Sequence, residues 1–197
     1  MEKSKIRKIT ITAVLSAISA VLMFLETPLP GFPPFLQIDA SDLPAIICAF
    51  GIGPIWGVAV GLIKNSVHML ATKTMVAGEI ANFLIGASFV LPAGIIYKKN
   101  HTKKGALLGL VIGTVTMALA GVLTNLYITL PFYSKMMPMD TIIEISNKVN
   151  PYIKDVMTLT LYGITPFNIL KGILLSAITM LIYKPLSPIL HYSKRPC

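Results

Sequence analysis

The length, composition and charge of this chain exclude a soluble globular domain. The chain has 197 residues, of which 54% are hydrophobic and only 13% are charged, and its mean hydropathy is +0.75. A soluble domain of this size needs far more charge to cover its surface. The net charge of +9 falls in short clusters between apolar runs, which is typical of membrane-protein loops and not of a nucleic-acid-binding surface.

Five apolar runs are candidates to cross the hydrocarbon core, which takes about 20 residues of helix. They comprise residues 9–25, 54–70, 75–97, 106–130 and 159–183. A sixth run, residues 43–53, is about half as long and lies between a Ser-Asp-Leu-Pro helix start and a Gly-Ile-Gly-Pro breaker. The first run has no convincing cleavage site and is expected to be retained. We therefore predict one all-α integral membrane domain, residues 1–197, with six transmembrane helices and a short second helix.

The distribution of basic residues predicts the orientation of these helices. With six helices, both termini share a side with the loop of residues 98–104. Eleven of the 17 basic residues lie there: Lys3, Lys5, Arg7, Lys8, Lys98, Lys99, Lys103, Lys104, Lys184, Lys194 and Arg195. Because cytoplasmic loops carry an excess of Lys and Arg, we expect both termini in the cytoplasm of a multi-pass cell-membrane protein.

Two outward loops are too long to be simple turns. Residues 27–40 contain four prolines and so cannot form a helix, but their apolar side chains predict a structured cap. Residues 131–157 include Ile142, Ile143, Ile145 and Val149, whose spacing suggests a helix lying at the membrane interface.

Polar residues inside the predicted spans are costly there and are functional candidates by default. They are Lys64, Asn65 and His68 in the third helix, Glu79 and Asn82 in the fourth, Asn125 in the fifth, and Asn168 and Lys171 in the sixth. The structural alternative is that these groups pair with one another, for example Glu79 with Lys64. We interpret His68 as a hydrogen-bonded helix-end residue, because no second ligand has metal-binding spacing with it.

Asn125, Asn168 and Lys171 are expected to converge in the outer half of the membrane. Asn125 lies near the outward end of its run, and Asn168 and Lys171 follow Pro166, which suits the first position of a helix capped by Thr165. No carboxylate lies near Lys171 in sequence, so its ammonium is expected to face a ligand. Two amides and one ammonium suit a molecule with imide or carbonyl edges.

Asp39 and Asp42 could in principle hold Mg²⁺ for a stand-alone membrane enzyme acting on lipid or prenyl substrates. Such an enzyme needs a second acidic cluster, which the sequence lacks, so Asp42 is better interpreted as the cap of the second helix. We predict no metal site and no enzymatic activity.

There is no Gly-x-x-x-x-Gly-Lys-Ser/Thr sequence for ATP hydrolysis and no hydrolase or metalloprotease motif. Energy for uphill transport would come from other subunits.

The first helix carries small residues on a stripe that suits a partner helix. Ala13, Ala17 and Ala20, with Ser16, would let another helix approach closely, although internal packing is the alternative. We interpret Ala13 and Ala17 as a docking face.

Several segments, taken in order, resemble the S components of energy-coupling factor (ECF) vitamin transporters, most closely the riboflavin-specific ones. The resemblance rests on the Ala13-x-x-x-Ala17 stripe and on five segments: FLQIDASDLPAIICAFGIGPIWG (residues 35–57), LIKN (62–65), GEIANFLIG (78–86), LTNLYITLPFY (123–133) and TPFNILKG (165–172). It implies six helices, with the vitamin held near the outer surface beneath the first loop. It also implies a transmembrane coupling subunit, which Ala13 and Ala17 would face, and two cytoplasmic ATPases.

The resemblance further implies the residues that bind the vitamin. Residues matching Asn125, Asn168 and Lys171 hydrogen-bond the isoalloxazine ring, and residues of the first loop matching Phe35, Leu36 and Gln37 cover it. We extend this to Glu79 and Asn82, which are placed toward the ribityl chain. Riboflavin is then the transported ligand and not a cofactor, with flavin mononucleotide open as a second ligand. An S component for another vitamin is the alternative.

Overall fold

The structure of the chain is a computed structural model that describes residues 2–71 and 76–192, with side chains for residues 4–71 and 76–183. Nine α-helices occur in these described ranges. They are α1 (Glu2–Met23), α2 (Asp42–Gly51), α3 (Pro54–His68), α4 (Ala77–Lys99), α5 (Lys103–Thr124), α6 (Leu130–Tyr133), α7 (Met139–Val149), α8 (Val156–Leu159) and α9 (Thr165–Tyr192). The predicted start of the fourth run at Met75, and the basic residues Lys194 and Arg195, lie outside the described residues.

Within the described ranges, four helical segments are long and apolar enough to cross a membrane. They are Ser4–Met23, Ala77–Lys99, Lys103–Tyr133 and Val156–Tyr183. The helices α2 and α3 coincide with the other two predicted runs but have only 10 and 15 residues. The prediction of an all-α membrane protein is therefore confirmed by a predominantly helical fold with four candidate spans.

Two of these spans contain a π-helical turn that the sequence analysis did not predict. The turns are Asn125–Thr129, between α5 and α6, and Thr160–Ile164, between α8 and α9. The prediction that Thr165 caps a new helix is wrong, because helical backbone already begins after Asp155, whose carboxylate accepts the Thr158 N–H at 2.7 Å. Pro166 thus lies inside a continuous helical segment, next to a local π adjustment of the kind that accommodates proline in membrane helices.

The helices α4 and α5 pack closely because glycines of α5 face the backbone of α4. A methyl group at Gly109 would lie 2.8 Å from the Ala93 carbonyl oxygen, and one at Gly113 would lie 2.7 Å from that of Phe89. Small residues spaced four apart permit such contacts between membrane helices. Around this seam lies a buried apolar cluster that draws side chains from α2, α3, α4, α5 and α9.

The first loop is a structured cap, as the prolines and apolar residues predicted. Strand β1 (Thr27–Pro28) pairs antiparallel with β2 (Gln37–Ile38), so the loop folds back on itself. Leu36 is buried in a second apolar cluster with Phe167 of α9 and Ile142 of α7. The helix predicted in the second long loop is present as α7, and Ile142 packs it against the cap.

Candidate functional site

A cavity of about 830 Å³, including its open mouth, lies between the first loop, helices α1, α4, α6 and α9, and the π turn that follows α5. The structure brings all eight predicted ligand residues to its wall: Phe35, Leu36, Gln37, Glu79, Asn82, Asn125, Asn168 and Lys171. Residues separated by more than 130 positions in sequence therefore share one cavity.

The two asparagines are held by the helical backbone beside the π turns. Asn125 Nδ2 donates to the Gly121 carbonyl oxygen at 2.8 Å, and Asn168 Nδ2 donates to the Ile164 carbonyl oxygen at 2.9 Å. A carboxamide has two N–H donors and an acceptor oxygen, so each bond leaves further hydrogen-bonding capacity. Because both side chains line the cavity and are nearly fully buried, that capacity is available to a bound molecule.

Gly121 allows α5 and α9 to approach at the level of Asn168. A methyl group on Gly121 would overlap the Asn168 side-chain amide. The absence of a side chain at this position therefore leaves the space that the amide occupies at the cavity wall.

Lys171 forms an ion pair that the sequence analysis did not predict. Its Nζ lies 3.0 Å from Asp39 Oδ2 and 3.6 Å from Asp42 Oδ2, and all three side chains are at most 5% exposed. No carboxylate is close to Lys171 in sequence, as noted above, but the cap loop folds over α9 and brings Asp39 to it across 132 positions, so the expectation of an unpaired ammonium is wrong. Lys171 still lines the cavity, but its charge is already shared between two carboxylates.

Lys64 is paired with Asp42, so the predicted pair of Lys64 with Glu79 is wrong. Lys64 Nζ lies 2.7 Å from Asp42 Oδ1, and it also donates to the Ser41 hydroxyl. The predicted cap role of Asp42 is wrong as well, since Ser41 occupies the cap position of α2 and Asp42 is its first helical residue. Gly86 of α4 leaves room for the carboxylate, because a methyl group there would lie 2.8 Å from Asp42 Oδ1.

Glu79 pairs with the histidine at the end of α3. His68 Nδ1 lies 3.0 Å from Glu79 Oε1, and His68 Nε2 lies 3.9 Å from Glu26 Oε1. The Phe24 ring is 4.9 Å from the imidazole, centroid to centroid. The interpretation of His68 as a hydrogen-bonded helix-end residue is confirmed.

The electrostatics of the cap loop follow from these pairs. Burial alone would raise the pKa of Asp39, but the Lys171 and Lys64 ammonium groups and the hydrogen bonds from Ser41 hold it well below its ordinary value. Burial raises the pKa of Glu26, and the neighbouring carboxylates of Asp39 and Glu79 add to that rise against the opposing effect of His68. The pKa of Asp39 therefore lies below that of an exposed aspartate, whereas the pKa of Glu26 lies above its ordinary value.

The sequence analysis missed several residues of the cavity wall. Besides Glu26 and Asp39, they include Met23, Thr129, Tyr133 and Phe167. Tyr133 and Phe167 lie in the segments LTNLYITLPFY and TPFNILKG, which also contain Asn125 and Asn168. Their presence in the same segments as two predicted ligand residues could have identified them as candidates. Asp39 was considered only as a metal ligand, and among the described residues no group of three or more His, Cys, Asp and Glu could hold a metal ion.

The small-residue stripe of α1 is narrower than the sequence analysis proposed. Ala13 and Ala17 are exposed on the outside of the fold, as a docking face requires. Ser16 and Ala20 are buried and face the protein interior instead. The expectation that all four share one face is therefore wrong.

Comparisons with known proteins agree on one family. Residues 7–183 match the family described as ECF transporter, substrate-specific component. The chain is 38% identical to the riboflavin transporter RibU of Staphylococcus aureus over 95% of this chain and 93% of that one. It is 35% identical to the riboflavin transporter FmnP of Bacillus subtilis, covering 93% and 94% of the two chains. A solved S component of a bacterial ECF transporter superposes with a TM-score of 0.77 at 34% identity, covering 97% of this chain and 99% of that structure. The chain belongs to the family of substrate-specific components of ECF transporters.

Proposed function

We propose that this chain captures riboflavin from the extracellular side of a bacterial cell membrane for ATP-driven import. The observation that carries the proposal is the convergence of all eight predicted ligand residues on one cavity beneath the cap loop. Its relatives in Staphylococcus aureus and Bacillus subtilis, at 38% and 35% identity, are riboflavin transporters.

The chemistry of the cavity wall suits the two ends of riboflavin. The flat isoalloxazine ring has carbonyl and imide edges, which the amides of Asn125 and Asn168 can meet with both donors and acceptors. Apolar side chains such as Leu36 and Phe167 offer contact to the ring faces. The ribityl hydroxyl groups would bond to Glu79 and Asn82 on α4.

The orientation of the protein follows from its charge. We infer six membrane-crossing segments, with α2 and α3 as the two short ones and both termini in the cytoplasm. The basic loop between α4 and α5 then lies on the cytoplasmic side, and the cap loop faces outward. A ligand would enter from outside, past the cap.

The chain would work with partners that supply the energy. A transmembrane coupling subunit would pack on the exposed face of α1 at Ala13 and Ala17, and two cytoplasmic ATPases would drive the cycle. In support, these two alanines are exposed, while Ser16 and Ala20 of the same helix are turned inward.

The test is direct binding to the isolated chain. Protein purified in detergent should carry yellow flavin or quench the fluorescence of added riboflavin, with one site per chain and without ATP or partners. Thiamine and biotin added in excess should not compete. Folded protein that retains no riboflavin in equilibrium dialysis would refute the proposal, and competition by another vitamin would point to an S component of different specificity.

A further inference from the structure

The charged groups on the cavity wall are mostly acidic. Among the described residues that line it, Glu26, Asp39 and Glu79 are carboxylic acids and Lys171 is the cationic side chain. Lys171 is already bonded to Asp39 and lies 3.6 Å from Asp42. Its positive charge is therefore neutralised within the wall and is not available to an anionic ligand.

Glu26 occupies a different place from the other charged residues. Its side chain is 28% exposed, whereas those of Asp39, Glu79 and Lys171 are at most 5% exposed. Glu26 follows the end of α1 and faces the strand β2 of the cap. Of the charged side chains that line the cavity in the described part of the chain, that of Glu26 is therefore the most open to solvent, which places it toward the open side of the cavity.

The Glu26 carboxylate is held in this position by two neighbours. With its amide nitrogen facing Glu26, Gln37 donates to Glu26 Oε1 at 2.6 Å and lies 3.2 Å from Oε2. The imidazole of His68 lies on another side at 3.9 Å, with Glu79 beyond it. Glu26 is thus tied to the cap and to α3 while its carboxylate lines the cavity.

We propose that Glu26 is a specificity-determining residue that makes the site select neutral ligands and disfavour their phosphate esters. The proposal rests on riboflavin being the ligand, and it predicts that the site binds the 5′-phosphate of riboflavin, flavin mononucleotide, more weakly. A phosphate monoester carries a charge of about −1.5 to −2 at neutral pH and is ordinarily bound by Arg, Lys or free N–H groups. At the mouth it meets a carboxylate instead, and like charges within roughly 8 Å in a partly desolvated site lower affinity by about tenfold or more.

The experiment compares the dissociation constants of riboflavin and flavin mononucleotide for the same full-length protein in detergent. Glu26→Gln removes the charge but keeps an oxygen that accepts the Gln37 bond. Glu26→Asp keeps the charge on a shorter side chain. Glu144→Gln on α7 is the matched control, since Glu144 is exposed and pairs with Lys148 four residues away.

The unmodified protein should bind flavin mononucleotide at least tenfold more weakly than riboflavin. Glu26→Gln should narrow that ratio by about tenfold, chiefly through tighter binding of flavin mononucleotide, whereas Glu26→Asp and Glu144→Gln should leave the ratio unchanged. Equal affinity for both flavins in the unmodified protein, or a ratio unmoved by Glu26→Gln, would overturn the role of Glu26 while leaving riboflavin capture intact. Weakening of both ligands to the same extent would show Glu26 to be a structural or common contact, which also contradicts the proposal. Failure of the unmodified protein to bind riboflavin would instead refute the proposed function itself.

Discussion

Lys171 of α9 and Asp39 of the cap loop form a buried ion pair with 3.0 Å between Nζ and Oδ2. This contact joins the cap loop to the helix that carries two of the predicted ligand residues. Asp42, at the start of α2, lies 3.6 Å from the same ammonium and 2.7 Å from Lys64. Two lysines and two aspartates thus form one linked group beside the cavity, and the cap is bonded to a residue that also lines the cavity.

Lys171→Met should lower both riboflavin affinity and the stability of the ligand-free protein. The loss of a donor to a buried ligand carbonyl costs roughly 1–3 kcal/mol, or about one to two decades of affinity. The same change leaves Asp39 without its main partner, and breaking a buried pair costs about 3–5 kcal/mol. Fluorescence titration and thermal unfolding in detergent measure the two effects.

The double variant Lys171→Met with Asp39→Asn separates these effects. The double variant removes the Asp39 carboxylate that Lys171→Met leaves without its main partner. Much of the lost thermal stability should therefore be recovered, while riboflavin affinity stays low. A Lys171→Met protein as stable as the unmodified one would contradict the ion pair. Unchanged affinity would contradict a ligand contact.

Gly121→Ala should weaken riboflavin binding by about tenfold or more. The added methyl group overlaps the Asn168 amide, so either that side chain must leave its position or α5 and α9 must separate. Gly61→Ala in α3 is the matched control, because the nearest described atom to its methyl group would be on the Phe83 ring at 3.9 Å, an ordinary van der Waals distance. Equal affinities for the two variants would show that the position of Asn168 does not matter for binding.

Ala13→Trp and Ala17→Trp should leave riboflavin binding intact and abolish uptake by cells. Both alanines are exposed on α1, where a bulky side chain would hold a partner helix away without reaching the cavity. Ala20→Trp is the contrasting variant, since Ala20 is 6% exposed and its enlargement should destabilise the fold itself. Loss of binding in purified Ala13→Trp protein would contradict an external docking face.

The contribution of Asp39 to stability should be lost in acid. Its pKa is lowered in the fold, so its stabilising effect is complete above the unfolded value near 4 and declines as the pH falls from there toward the folded value. The slope is at most about 1.4 kcal/mol per pH unit for one proton. Glu26, with a raised pKa, acts in the opposite direction and at higher pH.

Thermal unfolding between pH 5 and pH 3 checks this expectation. The melting temperature of the unmodified protein should fall more steeply than that of Asp39→Asn, which has no carboxyl group to protonate. Parallel curves for the two proteins would mean that Asp39 is not preferentially ionised in the fold.

The apolar runs and the residues that break them were sufficient to predict helices at all six positions. Hydrophobic length is a local property, and every backbone polar group in a membrane must be satisfied within its own helix. The π turns could not be predicted because they depend on how α5 and α9 pack and have no distinct local sequence pattern. The continuation of the helix through Pro166 could not be predicted for the same reason.

For the site, too, some features could be predicted from the sequence and others depend on the tertiary structure. The sequence by itself determined that Asn125, Asn168 and Lys171 are costly in a membrane and therefore candidates for function. Only the tertiary structure decided their partners: Asp39 for Lys171, Asp42 for Lys64 and His68 for Glu79. Pairing of buried charges is settled by distances of a few ångströms, and the fold of the cap loop brings Asp39 to Lys171 across 132 positions that no local pattern relates.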